Sequence, residues 1–233
     1  MNHHFKSLLS VGALALGSMS VHATPLSDAE VLANWQPEAD FITNYNTANW
    51  VSSPYGVHSG GNVFGALVSD FVTTGDFQFT AQLTASGDND YMGLVFGWQD
   101  MDNTYALGWG GGGVGVYNGI TLYQESLGVK TLLDDYDVFW RSGASYDFSV
   151  GLSGSTLFYS VVDAGSLVYQ GQLSGVAPIN GRVGFSVASQ SAYFVFDQAS
   201  YLTGASAVPV PAVFLLLLTG AGMGWLAGRW KRQ

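Results

Sequence analysis

Hydrophobic and polar positions alternate through the middle of the chain, and the alternation changes character between stretches. From Asp76 to Thr84, DFQFTAQLT has period two, the mark of a strand with one buried and one wet face. From Tyr91 to Trp98, YMGLVFGW is nearly continuous in apolar residues, which predicts a strand covered on both faces. Val114–Tyr117, Asn118-Gly119 and Ile120–Tyr123 read as a hairpin, because Asn-Gly suits a type I′ turn. Tyr146–Leu152, Thr156–Val162 and Leu167–Leu173 follow as strands, with Asp163-Ala-Gly-Ser166 as a turn. Arg182–Ala188 and Tyr193–Leu202 close the set. Roughly ten to twelve short strands at regular spacing predict an all-β fold, an antiparallel jelly-roll sandwich of two sheets. Helix signals are few. Ser27-Asp-Ala-Glu30 has the form of a capping box before Val31-Leu32, so one short N-terminal helix is expected.

The two ends follow other rules. Lys6 precedes an apolar run, Leu8 to Leu16, and Val21-His22-Ala23 ends in a small residue. That layout reads as a signal peptide over 1–23, cut after Ala23. At the other end, VPVPAVFLLLLTGAGMGWLAGRWKRQ begins with Val208, Pro209, Val210 and Pro211, whose prolines stop preceding structure. Ala212 to Gly228 carries no charge, and Arg229, Lys231 and Arg232 follow. As a helix, 212–228 spans ~25 Å, slightly short for a bilayer core of ~30 Å. The basic cluster would keep its end cytoplasmic, with the bulk of the chain exported across the inner membrane. This tail resembles the PEP-CTERM sorting signal of Gram-negative bacteria in a Val-Pro-x-Pro form. That resemblance implies an exosortase as partner, cleavage near the prolines, transient anchoring and delivery to the cell surface or extracellular matrix. A permanent single-span anchor is the alternative. The expected layout is thus 1–23 signal peptide, 24–203 sandwich domain, 204–207 linker and 208–233 sorting signal with its transmembrane helix.

Charge narrows the partners. All 17 acidic residues lie between the two ends, against only Lys130, Arg141 and Arg182, a balance of −14 where the whole chain has −10. Such a surface repels nucleic acid and suits cations and neutral partners. There is no cysteine, so no disulfide supports the fold and Cys-based zinc sites are excluded. His58 is the one histidine between the ends and reads as a loop residue rather than a base. Trp35, Trp50, Trp98, Trp109 and Trp140 are expected mostly in the core, with one or two left for stacking on sugar. Gly110–Gly113 has no following Lys or helix and is no phosphate cradle; it reads as a turn or a close backbone approach.

Carboxylates cluster at both ends of the continuous strand: Asp88 and Asp90 before it, Asp100 and Asp102 after it. Eight extended residues span ~26 Å, so the two clusters cannot share one ion. Asp100, Asp102 and Asn103 read as turn residues capping local backbone. Neither cluster fits an EF-hand, because Met92 and Gln99 or Tyr105 stand where ligands or the sharp-turn Gly are needed. Asp134-Asp-Tyr-Asp137 reads as solvated surface.

ANWVSSPYGVHSGGNVFGALVSDF, DFQFTAQLTASGDNDYMGLVFGWQDMDNTYALGW and INGRVGFSVASQSAYFVFDQASYL resemble three successive blocks of the thrombospondin C-terminal domain. The likeness runs from about Asn49 to Leu202 and is poor between Gly110 and Tyr146. It implies a concanavalin A-like/laminin-G-like jelly roll that binds calcium. Carried over, the calcium ligands would be Asp88, Asn89 and Asp90, with Asp76, Asp197 or a backbone carbonyl as partners from other loops. Asn89 stands where the family often has Asp, which removes one charge and implies weaker affinity. Glycoside hydrolases of concanavalin-like fold need a carboxyl pair, commonly Glu on one strand, whereas Glu30, Glu38 and Glu125 are isolated here. The expected function is therefore a non-enzymatic, calcium-supported binding or structural module of the envelope or matrix. A polysaccharide-binding lectin without calcium is the alternative, and a glycoside hydrolase a more distant one. Matrix proteins and extracellular polysaccharide are the expected partners.

Overall fold

The computed structural model describes residues 23–39, 46–47, 49–60, 63–86, 90–111, 118–189 and 193–203. Within them the chain forms sixteen strands and one helix in the order β1 (Thr24–Pro25), α1 (Asp28–Asn34), β2 (Gln36–Ala39), β3 (Asn46–Thr47), β4 (Trp50–Ser53), β5 (Gly56–Gly60), β6 (Val63–Val68), β7 (Phe77–Ser86), β8 (Tyr91–Asp100), β9 (Asn103–Gly110), β10 (Gly119–Ser126), β11 (Val129–Tyr136), β12 (Ser145–Ser153), β13 (Thr156–Asp163), β14 (Ser166–Ser174), β15 (Arg182–Ser189) and β16 (Tyr193–Thr203). Two sheets result. Sheet 1 runs β14-β13-β12-β7-β16-β5-β4, with β1 also on β16. Sheet 2 runs β11-β10-β9-β8-β15-β6-β2, with β3 also on β6. Every pairing is antiparallel except the short β3–β6 contact. The expected two-sheet sandwich is therefore the observed one. The signal segment through residue 22 and the whole tail from 204 onward, with its Pro motif and basic end, lie outside the described residues. Among the described residues, no helix is long and apolar enough to cross a membrane.

The period-two pattern of β7 sends Phe77, Phe79, Ala81, Leu83 and Ala85 into the core, where they meet Met92, Leu94 and Phe96 of β8. Burying such side chains contributes about 1.5–3 kcal/mol each. The helix starts at the capping box: Ser27 Oγ accepts from the Glu30 amide at 3.3 Å, and Glu30 Oε2 accepts from the Ser27 amide at 3.0 Å. Just beyond it, the Trp35 ring sits 5.2 Å from Phe185 and 6.2 Å from Phe79, joining the two sheets.

Strand β11, in the stretch where the sequence carries little signal, is held by polar chemistry. Asp134 accepts hydrogen bonds from the hydroxyls of Tyr159 and Tyr169, the latter at 2.6 Å. Both tyrosine hydroxyls are pushed well above their usual range, by burial first and by the Asp134 carboxylate second. Asp134 is thus a half-buried clasp between β11 and the edge of sheet 1, not solvated surface. His58 likewise sits within β5, opposite Val195 and Val51, rather than in a loop.

Candidate functional site

Three of the five expected metal ligands, Asp76, Asp90 and Asp197, lie within the described residues. Asp88 and Asn89 lie outside the described residues. Asp90 is only 2 % exposed, and its carbonyl accepts from the Trp140 indole at 3.1 Å and from the Gly111 amide at 3.2 Å. Asp76 sits before the far end of β7, where its Oδ1 accepts from the Gly154 amide at 2.8 Å. The ten residues of β7 separate the two ends by ~33 Å. Asp197 pairs with Gln82 in the middle of sheet 1 and caps a bulge by accepting from the Gln198 amide at 2.7 Å. Asp76 and Asp197 therefore have local structural work, and the length of β7 keeps Asp76 from sharing an ion with Asp90. Among the described residues, no three His, Cys, Asp or Glu side chains gather as a metal site. At the other end of β8, Asp100 Oδ1 accepts from the Asp102 amide at 2.9 Å and from Asn103 Nδ2 at 2.8 Å, a capped turn.

The unusual surface is the outer face of sheet 2. Strand β8 is buried on both sides from Tyr91 to Trp98, as its continuous apolar sequence predicts. The outward positions align in rows. One row runs Glu38–Ala66–Ser186–Gly93–Gly108–Thr121–Asp135, and the next Gln36–Val68–Gly184–Val95–Ala106–Tyr123–Leu132. Small residues fill the middle of both rows. The missing side chains are used: a Cβ at Gly108 would lie 2.0 Å from the Tyr91 ring, and one at Gly93 2.8 Å from its hydroxyl. Tyr91 therefore lies flat across β8 and β9.

A bulge between Phe96 and Asp100, with Gly97 at φ 59°, turns Trp98 onto the same face. There it packs with Ala66, Val68, Val95 and Ala106 in a second apolar cluster, separate from the main core. Ion pairs flank the face: Arg182 to Glu38 at 2.8 Å, and Lys130 to Glu125 at 3.6 Å. Lys130 also lies 5.4 Å from the Tyr123 ring centre.

On this face Trp98 Nε1, Ser186 Oγ and Thr121 Oγ1 are buried and have no hydrogen-bond partner among the described residues. Trp98 is 3 % exposed, Ser186 8 % and Thr121 2 %. Such orphan groups cost about 1–3 kcal/mol each, so they are rare without a reason. Trp98 and Ser186 line a cavity of about 50 Å³, together with Tyr91, Tyr123, Glu125 and Lys130. Sequence reasoning named Trp98 only among five tryptophans. Trp35, Trp98, Trp109 and Trp140 are buried and Trp50 half-buried, so none is an open stacking platform. Ser186 and Thr121 carried no signal, because small polar residues in strands are ordinary.

No protein-family model and no curated protein matches the chain. Solved structures do. A carbohydrate-binding module, CBM66 from Bacillus subtilis, aligns with TM-score 0.56 at 15% identity, over 70% of this chain and 100% of that one. A Bacillus subtilis protein of unknown function with a galectin-like fold aligns with TM-score 0.54 at 11% identity, over 78% and 98%. A seed lectin of Lotus tetragonolobus aligns with TM-score 0.52 at 8% identity, over 73% and 98%. The chain therefore has a lectin-like β-sandwich fold.

Proposed function

We propose that this protein is a non-enzymatic carbohydrate-binding module that takes sugar on the outer face of sheet 2. The observation that carries the reading is a pair of buried groups beside one cavity, Trp98 Nε1 and Ser186 Oγ, neither with a hydrogen-bond partner among the described residues. An indole N–H donates and a serine hydroxyl donates or accepts, so together they match a sugar hydroxyl. The likeness to a carbohydrate-binding module and a seed lectin supports the same reading. Among the described residues, Glu125 is the one carboxylate lining either this cavity or its neighbour at the β8–β9 turn, and hydrolysis of a glycoside needs two.

Calorimetric titration with a panel of soluble polysaccharides tests the reading. Trp98→Phe keeps an aromatic ring and deletes the N–H, and a loss of at least about tenfold in affinity is expected. Retained affinity moves the site elsewhere. Calcium at Asp88–Asp90 is a further part of the proposal, resting on the family resemblance. Melts of the same protein in calcium and in chelator check it: equal melting temperatures end the calcium reading.

The exported, exosortase-sorted destination rests on the 208–233 sequence. Mass spectrometry of the surface or secreted form should find a chain ending near Pro209 or Pro211; a chain retaining Arg229–Arg232 makes the tail a permanent anchor.

A further inference from the structure

Thr104 and Glu125 line two cavities, not one. Behind the outer-face cavity lies a larger cleft of about 180 Å³. It opens where the β8–β9 turn and the end of β10 meet the segment Pro178–Asn180. That segment is firmly seated. Ile179 is buried, and a Cβ at Gly97 would lie 2.5 Å from its Cγ2. A Cβ at Gly181 would lie 2.4 Å from the Gly97 carbonyl carbon. The floor of the cleft is therefore fixed by backbone contact.

Its walls carry side-chain amides from Gln99, Asn103, Gln124 and Asn180. Asn103 is committed to the turn, since its Oδ1 accepts from the Leu127 amide at 3.2 Å while its Nδ2 bonds Asp100. Gln99, Gln124 and Asn180 are not committed to the fold in this way, and each presents a donor and an acceptor side by side. Vicinal hydroxyls of a sugar ring need that pairing. The Tyr105 ring adds an apolar surface suited to sugar C–H groups and is itself stacked on Phe96 at 5.5 Å. Among the described residues no cation lines the cleft, and the one carboxylate lining it, Glu125, is buried and paired to Lys130. The chemistry suits an uncharged ring. The volume suits one ring rather than a larger ligand, whose pockets run about 300–1,000 Å³.

Resting on the carbohydrate-binding reading above, we infer that this cleft is a second subsite for a neutral sugar ring of the same chain. The ligand is then an extended polysaccharide held along its length, passing from the sheet face over Thr104 and Glu125 to the turn, and not a single terminal sugar.

The test uses oligosaccharide ladders of glucan, galactan, mannan and fructan, from monosaccharide to hexasaccharide, titrated into the purified protein. Affinity should rise with length by at least about tenfold. The double variant Gln99→Ala/Asn180→Ala should lose that rise and keep the monosaccharide affinity. Both residues are exposed, so the fold should survive, and an unchanged melt verifies it. Length-independent binding, or a rise that the double variant keeps, overturns the second subsite and leaves the carbohydrate-binding reading standing. Loss of monosaccharide affinity in the double variant makes the cleft the primary site and also overturns the inference. No binding by any ladder overturns both readings.

Discussion

The two sheets turn very different backs to the outside. On sheet 1, the outward positions of β7 form a ladder of cross-strand polar pairs. Thr80 and Ser200 hydroxyls meet at 2.6 Å, Thr84 and Ser145 at 2.6 Å, Gln82 reaches Asp147 at 3.0 Å, and Gln78 reaches Ser149 at 3.3 Å. Each of these hydroxyl and amide groups is paired with another side chain across the strands. On sheet 2, the middle of the corresponding rows is filled by glycine, alanine and valine, with Ser186 and Thr121 hydroxyls that have no hydrogen-bond partner among the described residues. The first back is finished as a protein surface. The second is a largely apolar face with a few polar atoms left open, and such atoms are suited to a ligand that completes their hydrogen bonds. On the proposed function, stability and binding compete there.

The largest effect that would break this contrast comes from adding bulk. Gly108→Ala places a Cβ 2.0 Å from the Tyr91 ring, which cannot move without leaving its bed on Gly93. Overpacking of this kind costs about 1–3 kcal/mol. Chemical denaturation should show that loss, together with weakened sugar binding as Tyr91 lifts from the sheet. A neutral Gly108→Ala variant would mean that the outer face of sheet 2 is loosely packed and not a shaped site.

The contrast was legible in the sequence at the level of strands. DFQFTAQLT alternates because only one face of β7 is apolar, and YMGLVFGW does not because β8 is covered on both. The capping box at Ser27 and the turn at Ala164-Gly165 were legible for the same local reason: their chemistry lies within four residues. Strand β11 was not legible. Its turn uses Leu127 at φ 52° before Gly128, where Asn or Gly would announce a hairpin. Its anchor, Asp134, bonds to tyrosines 25 and 35 residues away. The candidate site was missed for a similar reason. Ser186, Gly93, Gly108 and Thr121 become one row only through the register of four strands. Asp76 and Asp197 show the converse. The sequence offers them as free carboxylates, and only the fold brings Asp76 to the Gly154 amide and shows Asp197 capping the bulge at Gln198.

The sharpest test removes one hydroxyl from each back of the sandwich. Thr80→Val deletes half of a made pair, and the Ser200 hydroxyl loses its partner; the net cost should be about 0.5–1.5 kcal/mol. Thr121→Val deletes an atom that is buried with no hydrogen-bond partner among the described residues. The side chain keeps its size, and the desolvation cost of the hydroxyl disappears, so stability should rise by about 1 kcal/mol. Ser186→Ala should behave in the same direction and, because Ser186 lines the cavity, should also weaken sugar binding. Thermal melts of the three variants read the signs directly: down for Thr80→Val, up for the other two. If Thr121→Val and Ser186→Ala both lower stability, their hydroxyls already have partners in solution, and the outer face of sheet 2 is as finished as that of sheet 1. If stability rises while binding falls, the unpaired hydroxyls are present for what the face binds and not for the fold.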